Sequence, residues 1–296
     1  METKWKYSYA FLALFAMVVW LAVYYYPKDK LKLIACDVGQ GDAILAIYGK
    51  TQFLIDGGPN DKVLDCLSSH MPFWDRNIEV VILTHPDKDH FSGLIEIFKR
   101  YEVDYFIANS LEPGSQGYQV LKKVVGGSDA VVIPPKEGMV IGNSMMHLEI
   151  VFPTQTFQKE NLTFNTNVND SKVLGTSTTS KSANNFSIVT ILESGDFKAL
   201  LTGDIVPGIT DEIIDTGRIG KVDYIKVPHH GSKNGLTEDL LKKANPEIAV
   251  ISVGKNQWGH PHKEILNLLA EYNVKILRTD ELGDIVVTDE SEINKE

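Results

Sequence analysis

Leu83-Thr84-His85-Pro86-Asp87-Lys88-Asp89-His90 is the segment that decides how this chain folds. It follows the apolar run 79–83, which reads as a buried strand. It leads through Phe91-Ser92-Gly93 into an amphipathic stretch, 94–101, with Leu94, Ile97 and Phe98 on one face. Four side chains able to bind a metal therefore sit within six positions on a strand-to-helix turn. A divalent cation requires neutral imidazoles and ionised carboxylates that converge on one point, and a tight turn preorganises them. Any one of these residues alone reads as a helix cap or a solvated loop side chain. All four together read as metal ligands.

Working outward, short β-branched runs alternate with helical stretches. Strands are expected at 32–35, 43–48, 52–55, 131–133, 147–152, 186–192, 199–201, 224–227, 248–253 and 274–278, and a second amphipathic helix at 264–272. The class is α/β. The interval 154–184 is rich in Asn, Thr, Ser and Lys, and is expected to be a long irregular loop or insertion. No linker divides the chain after residue 30, so one domain is expected over 31–288, followed by a solvated acidic tail at 289–296.

The first thirty residues differ from the rest. No residue between Lys6 and Lys28 is charged, and the stretch 7–27 reaches roughly 30 Å as a helix, one bilayer core. Tyr7 and Tyr9 at one end and Tyr24, Tyr25 and Tyr26 at the other suit headgroup level. Residues 1–30 are thus expected to form one N-terminal transmembrane helix, an uncleaved anchor because the segment 20–24 lacks the small residues of a cleavage site. Lysines flank both ends, so the charges leave its orientation open.

The chain has 296 residues and a formal net charge of -10, which disfavours indiscriminate binding to a duplex phosphate backbone. Its two cysteines, Cys36 and Cys66, are too few for a disulfide framework, although one bridge is possible.

Further motifs join the first. His85, Asp87, Asp89 and His90 resemble the His-x-[His/Asp]-x-Asp-His signature of metallo-β-lactamase-fold hydrolases. Phe53-Leu54-Ile55-Asp56-Gly57-Gly58 upstream and Ala199-Leu200-Leu201-Thr202-Gly203-Asp204 downstream fall in the same order as that superfamily's motifs. The segments 37–43, Val227-Pro228-His229-His230-Gly231-Ser232 and Gly259-His260-Pro261-His262 are similar to the extracytoplasmic hydrolase-like domain of the competence protein ComEC and to related free-standing hydrolases. The resemblance covers about 32–286.

The resemblance implies a four-layer αββα sandwich and two divalent metal ions, zinc or manganese. Asp87 stands where many members have histidine, which favours oxygen-preferring cations. His85 and Asp87 are expected on one ion and Asp89 and His90 on the other, with Asp204 shared between them and His260 completing the set. His229 is the preferred additional ligand, which leaves His230 free to donate a proton. On a strand, adjacent side chains point to opposite faces, but a turn at 228–231 relaxes that limit and the order of the two stays open. Where other branches have a further histidine, Asn184 and Asn185 stand instead. Asp89, His230 and Asp56 are the expected catalytic group: Asp89 orients the attacking hydroxide, His230 assists the leaving oxygen and Asp56 braces a ligating histidine.

The implied activity is hydrolysis of a phosphodiester bond by a dinuclear-metal-bound hydroxide. The substrate would be a small molecule, a cell-wall polymer or single-stranded DNA, and the enzyme would be held to the outer face of a membrane by its N-terminal helix. The alternatives are an acyl-bond hydrolase of the lactonase, thioesterase or β-lactamase kind, and a non-catalytic DNA- or wall-binding module.

Overall fold

The computed structural model of the protein describes residues 2–24, 30–164, 174–289 and 293–294. Apolar residues dominate both faces of most strands, so the strands demand cover on two sides. They receive it by forming two facing sheets, each backed by helices. The first sheet runs in the order Ile293–Asn294, Ile285–Thr288, Leu31–Ala35, Ile44–Tyr48, Thr51–Ile55, Asn77–Leu83, Glu102–Ala108, Val131–Ile133. The second runs Lys275–Arg278, Ile248–Ile251, Tyr224–Lys226, Phe197–Leu201, Val189–Ser194, His147–Phe152, Val140–Gly142.

The two-residue period of a strand sorts its side chains between layers. Leu33, Ala35, Ile44, Phe53 and Ile82 pack between the sheets against Leu148, Leu192, Ala199 and Tyr224. Ile34, Leu45, Leu54 and Val81 face the other way, against Leu67, Leu94, Ile97 and Leu121 of the helices on that side. The second sheet is backed by Ile209, Ile213, Leu240, Ile265 and Leu269. The result is the expected αββα sandwich.

Several expectations change. Residues 102–108 form a strand parallel to Asn77–Leu83 where none was expected. The strand expected at 186–192 starts later, at Val189, because Ala183–Phe186 is a 3₁₀ turn. The interval 154–184 is not wholly irregular: Thr154 caps the helix Gln155–Asn161, accepting a hydrogen bond from the Phe157 amide, and Thr163–Phe164 pairs with Ser177–Thr178. Residues 165–173 lie outside the described residues. Within the expected acidic tail, Ile293–Asn294 pairs antiparallel with Ile285–Thr288, while 290–292 and 295–296 lie outside the described residues.

The N-terminal segment forms the helix Glu2–Tyr24, with Phe11, Leu12, Leu14, Phe15, Met17 and Trp20 exposed. Among the described residues no helix is long and apolar enough to cross a membrane, which corrects the transmembrane helix expected over 7–27. Lys6, Ser8 and two tyrosines, Tyr7 and Tyr9, stand in its early turns ahead of the apolar run. Residues 25–29 of the expected anchor lie outside the described residues.

One further long-range tie is covalent. Cys36, just after the strand Leu31–Ala35, is disulfide-bonded to Cys66 in the helix Val63–His70. Beside it, Asp284 accepts a hydrogen bond from the Asp37 amide (2.7 Å) and meets His70 Nε2 at 3.0 Å.

Candidate metal centre

Thr51–Ile55 and Asn77–Leu83 are parallel neighbours in one sheet, and Phe197–Leu201, Tyr224–Lys226 and Ile248–Ile251 are parallel neighbours in the other. The loops after these strands therefore emerge at one end of the sandwich. They carry Asp56, the segment 84–90, Asp204, the pair His229 and His230, and His260.

Four of the expected residues come together most closely. One ligand atom from each of Asp89, His90, Asp204 and His230 lies within 4.8 Å of the others. Asp204 Oδ2 is 3.3 Å from His90 Nε2 and 3.2 Å from His230 Nε2, and Asp89 Oδ2 is 3.4 Å from His230 Nε2. His85 lies beside His90 with ring centroids 4.1 Å apart and the rings tilted by 54°, and its Nε2 is 3.5 Å from Asp87 Oδ2. His229 and His260 lie to one side with centroids 5.8 Å apart, and His229 is 6.3 Å from His230. Of the two adjacent histidines, His230 enters the close group and His229 does not. They sit in a 3₁₀ turn, Pro228–Gly231, with φ of 53° and 55°, so the strand rule for neighbouring side chains does not apply there.

The remaining ring nitrogens are held by acceptors. His90 Nδ1 is 2.8 Å from Asp56 Oδ2, and His230 Nδ1 is 2.8 Å from the Ser252 carbonyl. A carbonyl or carboxylate only accepts, so Nδ1–H donates in both rings, and once either ring loses its second proton the lone pair lies on Nε2, inside the cluster. Asp56 itself, at φ 61°, accepts from the Thr84 amide (2.8 Å) and the Thr84 hydroxyl (2.7 Å), which ties it to the start of the 84–90 loop. Thr84 Oγ1 also meets His85 Nδ1 at 3.1 Å.

Whether these residues suit a cation can be tested on the orphaned atoms. His85 Nε2, His90 Nε2, His230 Nε2, His229 Nδ1 and His260 Nδ1 are all buried without a hydrogen-bond partner. Buried polar atoms almost always find one. Five such nitrogens beside ionised carboxylates fit divalent cations, the ligand they lack.

Electrostatics point the same way. Burial acts to raise Asp204, but His230, His90 and Lys226 hold it well below the usual carboxylate range. Asp89 is likewise held low: burial opposes this, and the nearby His230 and His90 rings prevail. In the metal-free protein His90 and His230 are raised well above the ordinary histidine value despite burial, chiefly by Asp204, with Asp56 and Asp42 respectively. His260 goes the other way, pushed down to about 4 by burial and by His229, His230 and His262, and burial also lowers His229. Those two rings are neutral and ready to ligate.

Two residues were missed from the sequence. Asp42, in the segment 37–43, is buried with one oxygen 3.4 Å from His230 Nδ1 and the other on Lys226. Its loop is seated on the metal loop: the Asp42 amide donates to the Asp89 carbonyl (3.2 Å), and a Cβ at Gly41 (φ 151°) would lie 2.3 Å from that same carbonyl oxygen. Lys226 is only 1% exposed and contacts both Asp42 and Asp204. Its signal was available, as a lysine in the otherwise apolar run 224–227. Asn184 and Asn185 take part in local hydrogen bonds with Ser182 instead of joining the cluster.

This sandwich is the metallo-β-lactamase fold. The metallo-beta-lactamase fold protein YhfI from Bacillus subtilis superposes with a TM-score of 0.54 at 11% identity, covering 88% of this chain and 100% of that one. In sequence, the chain is 28% identical over 274 residues to ComE operon protein 3 of Bacillus subtilis (strain 168), covering 84% of this chain and 32% of that protein. It is 27% identical over 265 residues to Recombination protein 2 of Haemophilus influenzae, covering 88% of this chain and 29% of that protein. The chain thus spans about a third of the length of these relatives. No family model matches it.

Proposed function

We propose that this chain is a metal-dependent hydrolase of phosphodiester bonds, holding two divalent ions, zinc or manganese, between His85, Asp87, Asp89, His90, Asp204, His230 and the pair His229 and His260. The observation that carries the reading is the convergence of partnerless, buried imidazole nitrogens on the Asp204 and Asp89 carboxylates. When bound, such ions supply a nucleophile from water near neutral pH and a Lewis acid for a phosphoryl oxygen.

The chain's own residues supply the rest. Asp56 and the Ser252 carbonyl fix the tautomers of His90 and His230. Asp89, with its side chain 34% exposed, lies at the open rim, where it can orient the attacking water and accept its proton. The carboxylate-rich ligand set favours oxygen-preferring ions and phosphoryl substrates over acyl ones. Similarity to ComE operon protein 3 and Recombination protein 2 supports a competence setting, while the net charge of -10 favours a small or cell-wall phosphodiester over single-stranded DNA.

The same proposal places the domain outside the cytoplasm and attached to a membrane. The Cys36–Cys66 disulfide supports an oxidising compartment, and the exposed apolar side chains of Glu2–Tyr24 support attachment. Fractionation of cells carrying the full chain and a form lacking 2–24 tests this. The full chain is expected in the membrane fraction and the shortened form outside it. Equal solubility of both would overturn the attachment.

The activity is tested by assaying protein loaded with zinc or manganese on bis-p-nitrophenyl phosphate, p-nitrophenylphosphorylcholine, single-stranded DNA, a thioester and a β-lactam. Metal-dependent cleavage of at least one phosphodiester, abolished by a chelator, is expected. Turnover confined to the thioester or the β-lactam would overturn the reading.

A further inference from the structure

We infer that Lys226 is a positioning residue of the metal centre: its buried ammonium holds Oδ1 of Asp204, so that Asp204 faces the cations through Oδ2 alone. The inference rests on the metal-binding part of the proposal above and is independent of the reaction catalysed.

Lysine is almost never fully buried without partners. Lys226 lies in the strand Tyr224–Lys226, whose three residues are all buried, and its Nζ has three partners: the Asp42 carboxylate, Asp204 Oδ1 at 3.2 Å and the Gly203 carbonyl at 2.9 Å. An ammonium has three hydrogens, and all three are engaged. The other Asp204 oxygen is the one that lies 3.3 Å from His90 Nε2 and 3.2 Å from His230 Nε2. The carboxylate is therefore divided between a fixed cation on one side and the ligand cluster on the other.

Charge accounts for why a lysine stands here. Five carboxylates belong to the site: Asp42, Asp56, Asp87, Asp89 and Asp204. Two divalent ions and one ammonium neutralise all five, whereas two ions alone leave one negative charge. That surplus would fall on Asp42, which is 2% exposed and separated from Asp204 by Lys226. A buried charge without a counter-charge is strongly disfavoured.

Cobalt(II) is the probe, because its visible absorption reports coordination number. The full chain, Asp42→Asn, and the double variant Lys226→Met with Asp42→Asn are titrated with it. The double variant removes both charges of the pair together, and far-UV circular dichroism checks its fold. It is expected to bind as many cobalt ions as the unaltered protein, with a drop in visible absorptivity as Asp204 Oδ1 becomes a donor. Asp42→Asn alone leaves the ammonium on Asp204 and is the control for loss of the Asp42 charge; should the double variant not fold, Lys226→Gln, which also releases Asp204 Oδ1, is read in the same way and is expected to show the lowered absorptivity. A double variant with the unaltered spectrum, or Asp42→Asn alone with the lowered absorptivity, would overturn the role of Lys226. Unaltered protein that takes up no cobalt would overturn the metal centre itself, and with it this role.

Discussion

His90 and Asp56, thirty-four positions apart, meet in a buried contact of 2.8 Å between Nδ1 and Oδ2. Through it the end of one strand sets the orientation of a ligand on the loop after its neighbour. The same carboxylate also receives both donors of Thr84, so one aspartate holds each end of the 84–90 loop.

Asp56→Ala is expected to strip three donors of their acceptor. Loss of a partner that orients a metal-ligating histidine typically lowers metal affinity 10–100-fold, and buried donors left unsatisfied cost about 1–3 kcal/mol. Isothermal titration with zinc and chemical denaturation of the metal-free protein measure the two effects. Affinity within a factor of two of the unaltered chain would contradict the bracing role.

Asp89→Ala and His90→Ala are expected to lower metal-dependent hydrolysis by at least about 100-fold. Asp89 lies at the rim, so its removal leaves the sheets and their packing in place. Circular dichroism should match the unaltered chain. Full turnover by a folded, metal-loaded Asp89→Ala protein would refute the assignment.

Metal binding should depend on pH through His90 and His230. Both are raised above the unfolded histidine value in the metal-free protein, so they are protonated there and must lose those protons to ligate. His260, pushed down to about 4, has none to lose at neutral pH. Calorimetry in buffers of differing ionisation enthalpy should therefore detect proton release on zinc binding. The sign for stability follows: in metal-free protein the His90 and His230 contributions are fully present below about pH 6.5 and are lost as pH rises through their folded values. His260 acts in the opposite sense, its lowered value costing stability as pH falls from about 6.5 towards 4. Zinc uptake with no proton release would contradict this account.

Reduction of the Cys36–Cys66 bridge, which links positions 30 apart, should cost about 3–4 kcal/mol of stability by the loop-entropy relation. Urea denaturation with and without a reductant measures it. An unchanged midpoint would show that the bridge does not constrain the unfolded chain.

Legibility varied along the chain for physical reasons. The strands at Leu31–Ala35, Ile44–Tyr48 and Thr51–Ile55 are short, mostly apolar runs bounded by turn residues, and such runs announce themselves. Glu102–Ala108 does not, because its first half exposes Glu102, Asp104 and Tyr105 and continues directly from a helix. The helix Gln155–Asn161 was hidden in a polar interval and buries only Phe157.

The same contrast holds at the site. The ligand chemistry of 85–90 is local: spacing on one turn after one strand determines that these side chains can converge, and the sequence alone determined as much. Which of His229 and His230 enters the cluster was decided by the tertiary structure, through left-handed backbone at both residues and a carbonyl from Ser252 that orients the second ring. The meeting of Lys226 with Asp42 and Asp204 was decided there too. Those contacts arise because strands from two sheets end at one edge of the sandwich, and no local spacing encodes a distance across that edge.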